Sequence, residues 1–103
     1  MTALVNGSSM FLDDIRFVWD TDKNESNIKR HGISFEEAAL VFRDDARIEI
    51  VDKWHTDEER YNVIGMVGDV IFVVYTERKD YIRLISARPA TGEERRLYYD
   101  GYV

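Results

Sequence analysis

The chain has no cysteine, only one proline and only two histidines among its 103 residues. Without cysteine, disulfide bonds, thiolate metal sites and cysteine nucleophiles are all excluded. No apolar run approaches the roughly 20 residues that a membrane-spanning helix needs. The first residues also lack the basic region and long apolar core of a signal peptide. We therefore expect a cytoplasmic protein with no membrane partner.

The composition that remains is that of a folded domain with an acidic balance. Hydrophobic residues make up 45% of the chain and aromatic residues 13%, which is enough for one domain with a single core. Twenty acidic residues against fourteen basic ones give a net charge of -6. This balance argues against non-specific nucleic-acid binding over the whole surface. Any contact with RNA must come from a local basic patch, while the acidic surface suits a basic protein partner.

The stretch 59–88 predicts three consecutive antiparallel strands, because runs rich in Val, Ile, Tyr and Phe alternate with turn residues. Two-residue turns would pair Val67 with Val70 and Arg78 with Tyr81. Side chains alternate between the two faces of a sheet, so this register sorts them. The face to be covered by helices then carries Tyr61, Val63, Gly65, Phe72, Val74, Thr76, Arg83, Ile85 and Ala87.

The flanking segments complete an α+β domain. Capping-box patterns at Ser34 and Thr91 open two helices, and Gly32 ends an earlier helix that Thr21 or Asp22 caps. The predicted elements outside 59–88 are an edge strand at 15–20, helices at about 22–30, 35–42 and 92–99, and a strand at 47–51. We expect a mainly antiparallel sheet of four to five strands, covered on one face by helices. The predicted units are an N-terminal extension at 1–14, either disordered or an added edge segment, a single domain at 15–99 and a tail at 100–103.

Familiar metal and phosphate motifs are absent from the sequence, so the candidate chemistry lies with Arg, His and Glu. Arg60 follows Glu59 at the start of one predicted strand, Arg78 lies in a turn at the same end of the sheet, and His55 lies in the preceding loop. Guanidinium groups bind phosphate oxygens, and a carboxylate or imidazole exchanges protons with them. Spacing alone also fits structural roles, as cross-strand ion pairs for the arginines and as a helix-end residue for His31.

A family resemblance adds to this interpretation. The chain resembles the BrnT-type toxins over roughly residues 15–99. The motifs that carry the resemblance are FVWD at 17–20, NIKRHGISFEEA at 27–38, Asp52 and His55 followed by ERY at 59–61, YTER at 75–78 and IRLISAR at 82–88.

The resemblance implies a toxin of a type II toxin–antitoxin pair with a fold similar to the RelE-type ribonucleases. Such a toxin would cleave RNA without a metal or cofactor and inhibit translation. Its partner would be a basic antitoxin of the ribbon-helix-helix type, and it would contact DNA only through that antitoxin. The positions that carry over as functional candidates are His31, His55, Glu59, Arg60, Arg78 and Arg88.

The expected reaction is attack of an RNA 2′-hydroxyl on the adjacent phosphate. Glu59 or a histidine would accept the proton, and the arginines would stabilise the charge on the phosphate. Pro89 and Gly92 stand where the family commonly has basic residues, which reduces the positive charge near the expected RNA path. These departures support an alternative, a catalytically weak binding module that neutralises a basic DNA-binding antitoxin or represses together with it.

Overall fold

The computed structural model describes residues 7–52 and 59–101. These residues form an α+β fold, as the sequence predicts. In chain order the elements are β1 Gly7–Leu12, β2 Ile15–Asp20, α1 Thr21–His31, α2 Phe35–Ala39, a 3-10 helix Leu40–Arg43, β3 Ile48–Asp52, β4 Arg60–Val67, β5 Asp69–Glu77, β6 Ile82–Pro89 and α3 Gly92–Asp100. No helix in the described parts of the chain is long and apolar enough to cross a membrane.

The sheet has six strands in the order β1-β2-β6-β5-β4-β3, where four to five were predicted. All neighbours are antiparallel except β2 and β6, which run parallel. The additional strand is β1, which turns back onto β2 through Asp13 and Asp14, both with positive φ. As a result β2 lies inside the sheet, so the prediction that it forms an edge was wrong. The division of the chain at residues 14 and 99 stays a prediction.

The turn between β4 and β5 is one residue shorter than predicted. Val67 pairs with Asp69 instead of Val70, and only Gly68, with φ +71°, lies between them. A slip of one residue moves every side chain of a strand to the other face. The residues of β5 that face the helices are therefore Ile71, Val73 and Tyr75, and the predicted set of Phe72, Val74 and Thr76 was wrong.

A bulge between β5 and β6 corrects the assignment of one arginine. The second turn pairs as predicted, and the Arg78 amide donates to the Tyr81 carbonyl at 2.9 Å. Further along, Tyr75 lies opposite Leu84 but Val74 lies opposite Ser86, which leaves one extra residue in β6. Arg83, opposite Thr76, therefore faces away from α1 and α2, contrary to the prediction. Beyond the bulge Ala87 lies on the predicted face.

Local signals in the sequence define the helices. Ser34 and Thr91 form the predicted capping boxes with Glu37 and Glu94. Helix α1 is capped one residue earlier than predicted, by the side chain of Asp20, and ends at Gly32 with φ +72°. The predicted helix at 35–42 is α-helical only to Ala39 and then tightens into the 3-10 helix.

The main core lies between one face of the sheet and helices α1 and α2; we call this side the helical face. Gly65 allows the 3-10 helix to approach β4, since a Cβ at this position would lie 2.5 Å from Val41 Cγ2. The fully buried large side chains of this core include Phe17, Trp19, Phe35, Val63, Val73, Tyr75 and Leu84.

Helix α3 packs on the other side of the sheet, which the sequence did not predict. Its Tyr98 contacts a second, smaller core that contains Ile64 and Val70. Because α3 covers only the end of the sheet near Val70, the remainder of this side has no helix among the described residues. We call it the open face.

Candidate functional site on the open face

A row of polar side chains crosses the middle of the open face. The cross-strand pairing places Asp52 opposite Arg60 and Thr76 opposite Arg83, with Arg60 and Thr76 on neighbouring strands in the same row. Val18 of β2 continues the row beyond Arg83. Neighbouring strands lie about 4.8 Å apart, so the two arginines flank Thr76 at roughly that distance on each side. An arrangement of two arginine side chains around one hydroxyl is suited to binding a phosphate group.

Thr76 and Asn62 each carry a buried side-chain oxygen on this face that has no hydrogen-bond partner among the described residues. Thr76 has no exposed surface, and its Oγ1 atom is unsatisfied. The Oδ1 atom of Asn62, two residues beyond Arg60 on β4, is also buried without a hydrogen-bond partner. Leaving a buried polar group unpaired costs about 1–3 kcal/mol. Because a folded protein rarely carries this cost without a reason, the two atoms mark a place where a polar ligand would complete the bonding.

Arg83, and a further arginine of this face, Arg16, have side chains without a polar partner among the described residues. Arg83 is half-buried and Arg16 is exposed, on the same side of β2 as Val18. Neither side chain makes a hydrogen bond or an ion pair with another described residue. A cation held on a strand without a carboxylate partner is free to bind an anion.

The carboxylates of Glu59, which precedes Arg60 in sequence, and of Glu49 lie on the helical face of the sheet. The Tyr61 hydroxyl donates to Glu59 at 2.9 Å, and the ring of Tyr61 stacks on Tyr75 with the centroids 5.6 Å apart. The Tyr75 hydroxyl in turn donates to Glu49 at 2.9 Å. Burial and the bond to Glu49 raise the pKa of Tyr75, and the bond to Glu59 raises the pKa of Tyr61. Glu59 therefore lies on the helical face, although it is adjacent to Arg60 in sequence.

Arg88 is held by an internal carboxylate. Its two terminal nitrogens donate to the two oxygens of Glu94 at 2.7 and 2.9 Å, and its guanidinium lies 4.1 Å from the centroid of the Phe72 ring. Burial alone would raise the pKa of Glu94, but the hydrogen bonds from Arg88 and Thr91 outweigh it and lower that pKa. This clamp attaches α3 to β6, so Arg88 is already engaged within the fold.

The remaining candidates lie at three different places. Arg78 is in the β5–β6 turn, two residues beyond Thr76, and donates to the Glu77 carbonyl at 3.2 Å. His31 ends α1 near the outer edge of β6. His55 lies outside the described residues. The structure thus brings Arg60 and Arg78 to one end of the sheet but separates them from Arg88 and from the Glu59 carboxylate.

Sequence reasoning missed Arg83, Thr76 and Arg16 as site residues. Arg83 and Thr76 both lie inside motifs that carried the family resemblance, which is the one signal that could have marked them. Their juxtaposition with Arg60 depends on the β4–β5 register and the β6 bulge, and neither can be deduced from the local sequence. No group of three or more His, Asp or Glu side chains in residues 7–52 and 59–101 is arranged to hold a metal ion.

A family model described as the ribonuclease toxin BrnT of type II toxin–antitoxin systems matches residues 19–94 of this chain. The chain belongs to the BrnT toxin family. It is therefore a ribonuclease toxin of a type II toxin–antitoxin system, with RNA as its substrate and an antitoxin as its partner.

A solved BrnT structure supports the fold. The 1.1 Å crystal structure of the Brucella abortus ribonuclease toxin BrnT superimposes with a TM-score of 0.53 at 24% sequence identity. The match covers 71% of this chain and 92% of that one. Comparison with curated protein sequences gives no match. The α+β architecture is thus shared with a BrnT toxin at an identity too low to transfer individual residues.

Proposed function

We propose that the open face is the ribonuclease active site and that cleavage there proceeds without a metal. The observation that carries this proposal is the row in which Arg60 and Arg83 flank the buried, unpaired hydroxyl of Thr76. A phosphodiester bound on this row receives charged donors from both arginines. It receives a hydrogen bond from Thr76 Oγ1 once the neighbouring side chains that bury this hydroxyl move aside. The donors neutralise the negative charge that builds on the phosphate oxygens in the transition state.

The proposed reaction is an internal transfer within the RNA. The 2′-hydroxyl loses its proton to a base, the bond from O2′ to phosphorus forms, and the bond from phosphorus to O5′ breaks as that oxygen takes up a proton. The products are a 2′,3′-cyclic phosphate and a free 5′-hydroxyl. We assign the base to a histidine, and to His55 in preference to His31, because His31 ends α1 away from the Arg60 row. The Glu59 carboxylate lies on the helical face and accepts a bond from Tyr61.

The biological consequence follows from cleavage of messenger RNA in the cytoplasm, which stops translation. The net charge of -6 supports a basic antitoxin, of the ribbon-helix-helix type, as the neutralising partner. DNA would then be contacted only through that antitoxin.

The test is to incubate the purified chain with a fluorescent RNA oligonucleotide in the presence of EDTA. We expect fragments that end in a cyclic phosphate, and we expect no cleavage at a position where a single 2′-deoxynucleotide replaces the scissile residue. Intact RNA, or cleavage of the deoxy-substituted position, would contradict the mechanism.

A second candidate is a binding module with weak or no cleavage. The clamp between Arg88 and Glu94 favours it, because this arginine is engaged and unavailable to RNA. The module would bind its basic antitoxin tightly and leave the RNA oligonucleotide intact in the same assay.

A further inference from the structure

A shallow depression of about 190 Å³ lies between helix α1 and the bulged part of β6. The α1 residues that line it recur every three to four positions, so they share one face of the helix. The lining residues are Lys23, Ser26, Asn27, Arg30 and His31 of α1 with Ile85 and Ser86 of β6.

Asn27 fixes the two walls of this depression relative to each other. Its side-chain oxygen accepts from the Ala87 amide at 3.2 Å, and its amide donates to the Ala87 carbonyl at 2.8 Å. The same amide group also donates to the Ile33 carbonyl at 2.9 Å. The side chain thus occupies the outer edge of β6 in the way that a neighbouring strand would. The helix and the strand are held as one unit, which fixes the backbone positions from which the lining side chains extend.

The chemistry of the lining is that of an anion site. Lys23, Arg30 and His31 supply nitrogen donors, and the hydroxyls of Ser26 and Ser86 add two more donors. No carboxylate is among the lining residues, although acidic residues outnumber basic ones in the chain as a whole. Several cations with hydroxyls and no acid are suited to a phosphate group.

Ser86 is the lining residue that connects the depression to the strands of the proposed active site. Ser86 lies opposite Val74, and Val74 is two residues from Thr76 on the same face of β5. Along β6, Ser86 lies three residues beyond Arg83, a distance of roughly 10 Å in a strand. The β6 bulge adds one residue between Arg83 and Ser86, and a bulge increases the local twist of a strand.

We propose that this depression binds a backbone phosphate of the RNA one or two nucleotides away from the scissile phosphate. The proposal rests on the proposed active site and deepens it, since it gives the direction in which the RNA crosses the open face. The strand runs from the Arg60 row, past Ser86, to the α1 surface that carries Lys23 and Arg30.

The experiment compares two lysines of the same helix. Lys23 lines the depression, whereas Lys29 does not, and both are exposed. The Lys23→Ala and Lys29→Ala variants therefore change the net charge by the same amount. The probe is a single-stranded oligodeoxynucleotide, which cannot be cleaved because it has no 2′-hydroxyl, and its affinity is measured by fluorescence anisotropy over a range of salt concentrations.

We expect Lys23→Ala to weaken binding several-fold and to reduce the slope of log affinity against log salt by about 0.7, the value for one phosphate of a single strand. Arg30→Ala should behave in the same way, while Lys29→Ala should keep the wild-type slope. On RNA, Lys23→Ala should raise KM and leave kcat unchanged, since the lysine contacts a phosphate that does not react.

Equal slopes for the two lysine variants, in a wild-type protein that cleaves RNA, would overturn this subsite and leave the proposed active site intact. A wild-type protein that cleaves no RNA would overturn the proposed function and with it the direction assigned to the strand. Thermal unfolding of all variants checks that the exposed substitutions leave the fold unchanged.

Discussion

The two faces of the sheet differ in charge at the end where β4 begins and β5 ends. The open face presents Arg60 and Arg83 together with Asp52, whereas Glu49, Glu59 and Glu77 gather around two tyrosine hydroxyls on the helical face. Glu59 and Arg60 are adjacent in sequence, so the strand pleat alone separates them. The comparison teaches that a chain of net charge -6 can still place arginines on one face of its sheet, because alternation along a strand puts Glu59 and Arg60 on opposite faces.

The largest effect that would test this comparison is expected from Arg83→Ala. Removing one charged donor to a transition-state phosphate costs about 100-fold in rate, so we expect RNA cleavage to fall by about that factor. The matched control is Arg43→Ala, which removes the same charge from the 3-10 helix, where Arg43 pairs with Asp13 on the surface. Cleavage rates for the two variants are measured under single-turnover conditions.

The Arg83→Ala protein should unfold at the same temperature as the wild type within the small range typical of surface substitutions, since Arg83 has no polar partner among the described residues. If Arg43→Ala lost as much activity as Arg83→Ala, the effect would be one of overall charge and the open face would have no special role.

The next effect in size is expected from Thr76→Val, which keeps the shape of the side chain and removes its hydroxyl. The buried Oγ1 atom has no partner among the described residues, so its removal should raise the free energy of unfolding by about 1 kcal/mol. Cleavage should fall by about 10-fold because the bound phosphate loses one hydrogen bond. Chemical denaturation and the cleavage assay measure the two changes.

If Thr76→Val gains stability and loses activity, the hydroxyl is a functional group whose burial destabilises the folded protein. Thr76→Ser, which retains the hydroxyl, is the control and should keep most of the activity. A Thr76→Val protein that is less stable than wild type would show that Oγ1 has a structural partner.

A third prediction concerns the covered end of the open face, where Arg88 is clamped by Glu94. The pKa of Glu94 is lowered in the folded protein, so its contribution to stability is fully present above the unfolded-state value of about 4.3 and is lost as the pH falls through the lower folded-state value. Glu94→Gln should therefore cost about 1 kcal/mol at pH 7.

The difference between the Glu94→Gln variant and wild type should shrink below pH 4, and denaturation at pH 7 and pH 3 tests this. Cleavage at pH 7 should change little, because the clamp lies at the end of the sheet away from the Arg60 row. A large loss of cleavage by a folded Glu94→Gln protein would return Arg88 to the active site.

Local signals allowed much of the fold to be predicted. The capping boxes at Ser34 and Thr91 and the helix end at Gly32 depend on residues within one turn, and all three are present. The family resemblance, also read from the sequence, is confirmed by the family match.

The faces of β5 could not be predicted for a physical reason. Residues 70–74 are all apolar because both sides of this strand are covered, by α2 and the 3-10 helix on one side and by α3 at the end of the other. The alternation that normally identifies the buried face is therefore missing. The parallel contact of β2 with β6 joins residues far apart in sequence, and the β6 bulge follows from packing, so the Arg60 row required the structure.

The smallest effect is expected from Glu59→Gln, and it separates the two faces most directly. Glu59 was a candidate base in the sequence, but its carboxylate lies on the helical face and accepts a bond from the Tyr61 hydroxyl at 2.9 Å. A glutamine keeps an oxygen that can accept this bond, so cleavage should stay within about twofold of wild type. The pKa of Tyr61, which the Glu59 carboxylate raises, should fall toward its ordinary value, and a spectroscopic titration of the tyrosines follows that change.

If Glu59→Gln instead abolished cleavage and removed the acidic limb of the pH–rate profile, the carboxylate would have to reach the RNA from the helical face. The assignment of catalysis to the open face would then be wrong.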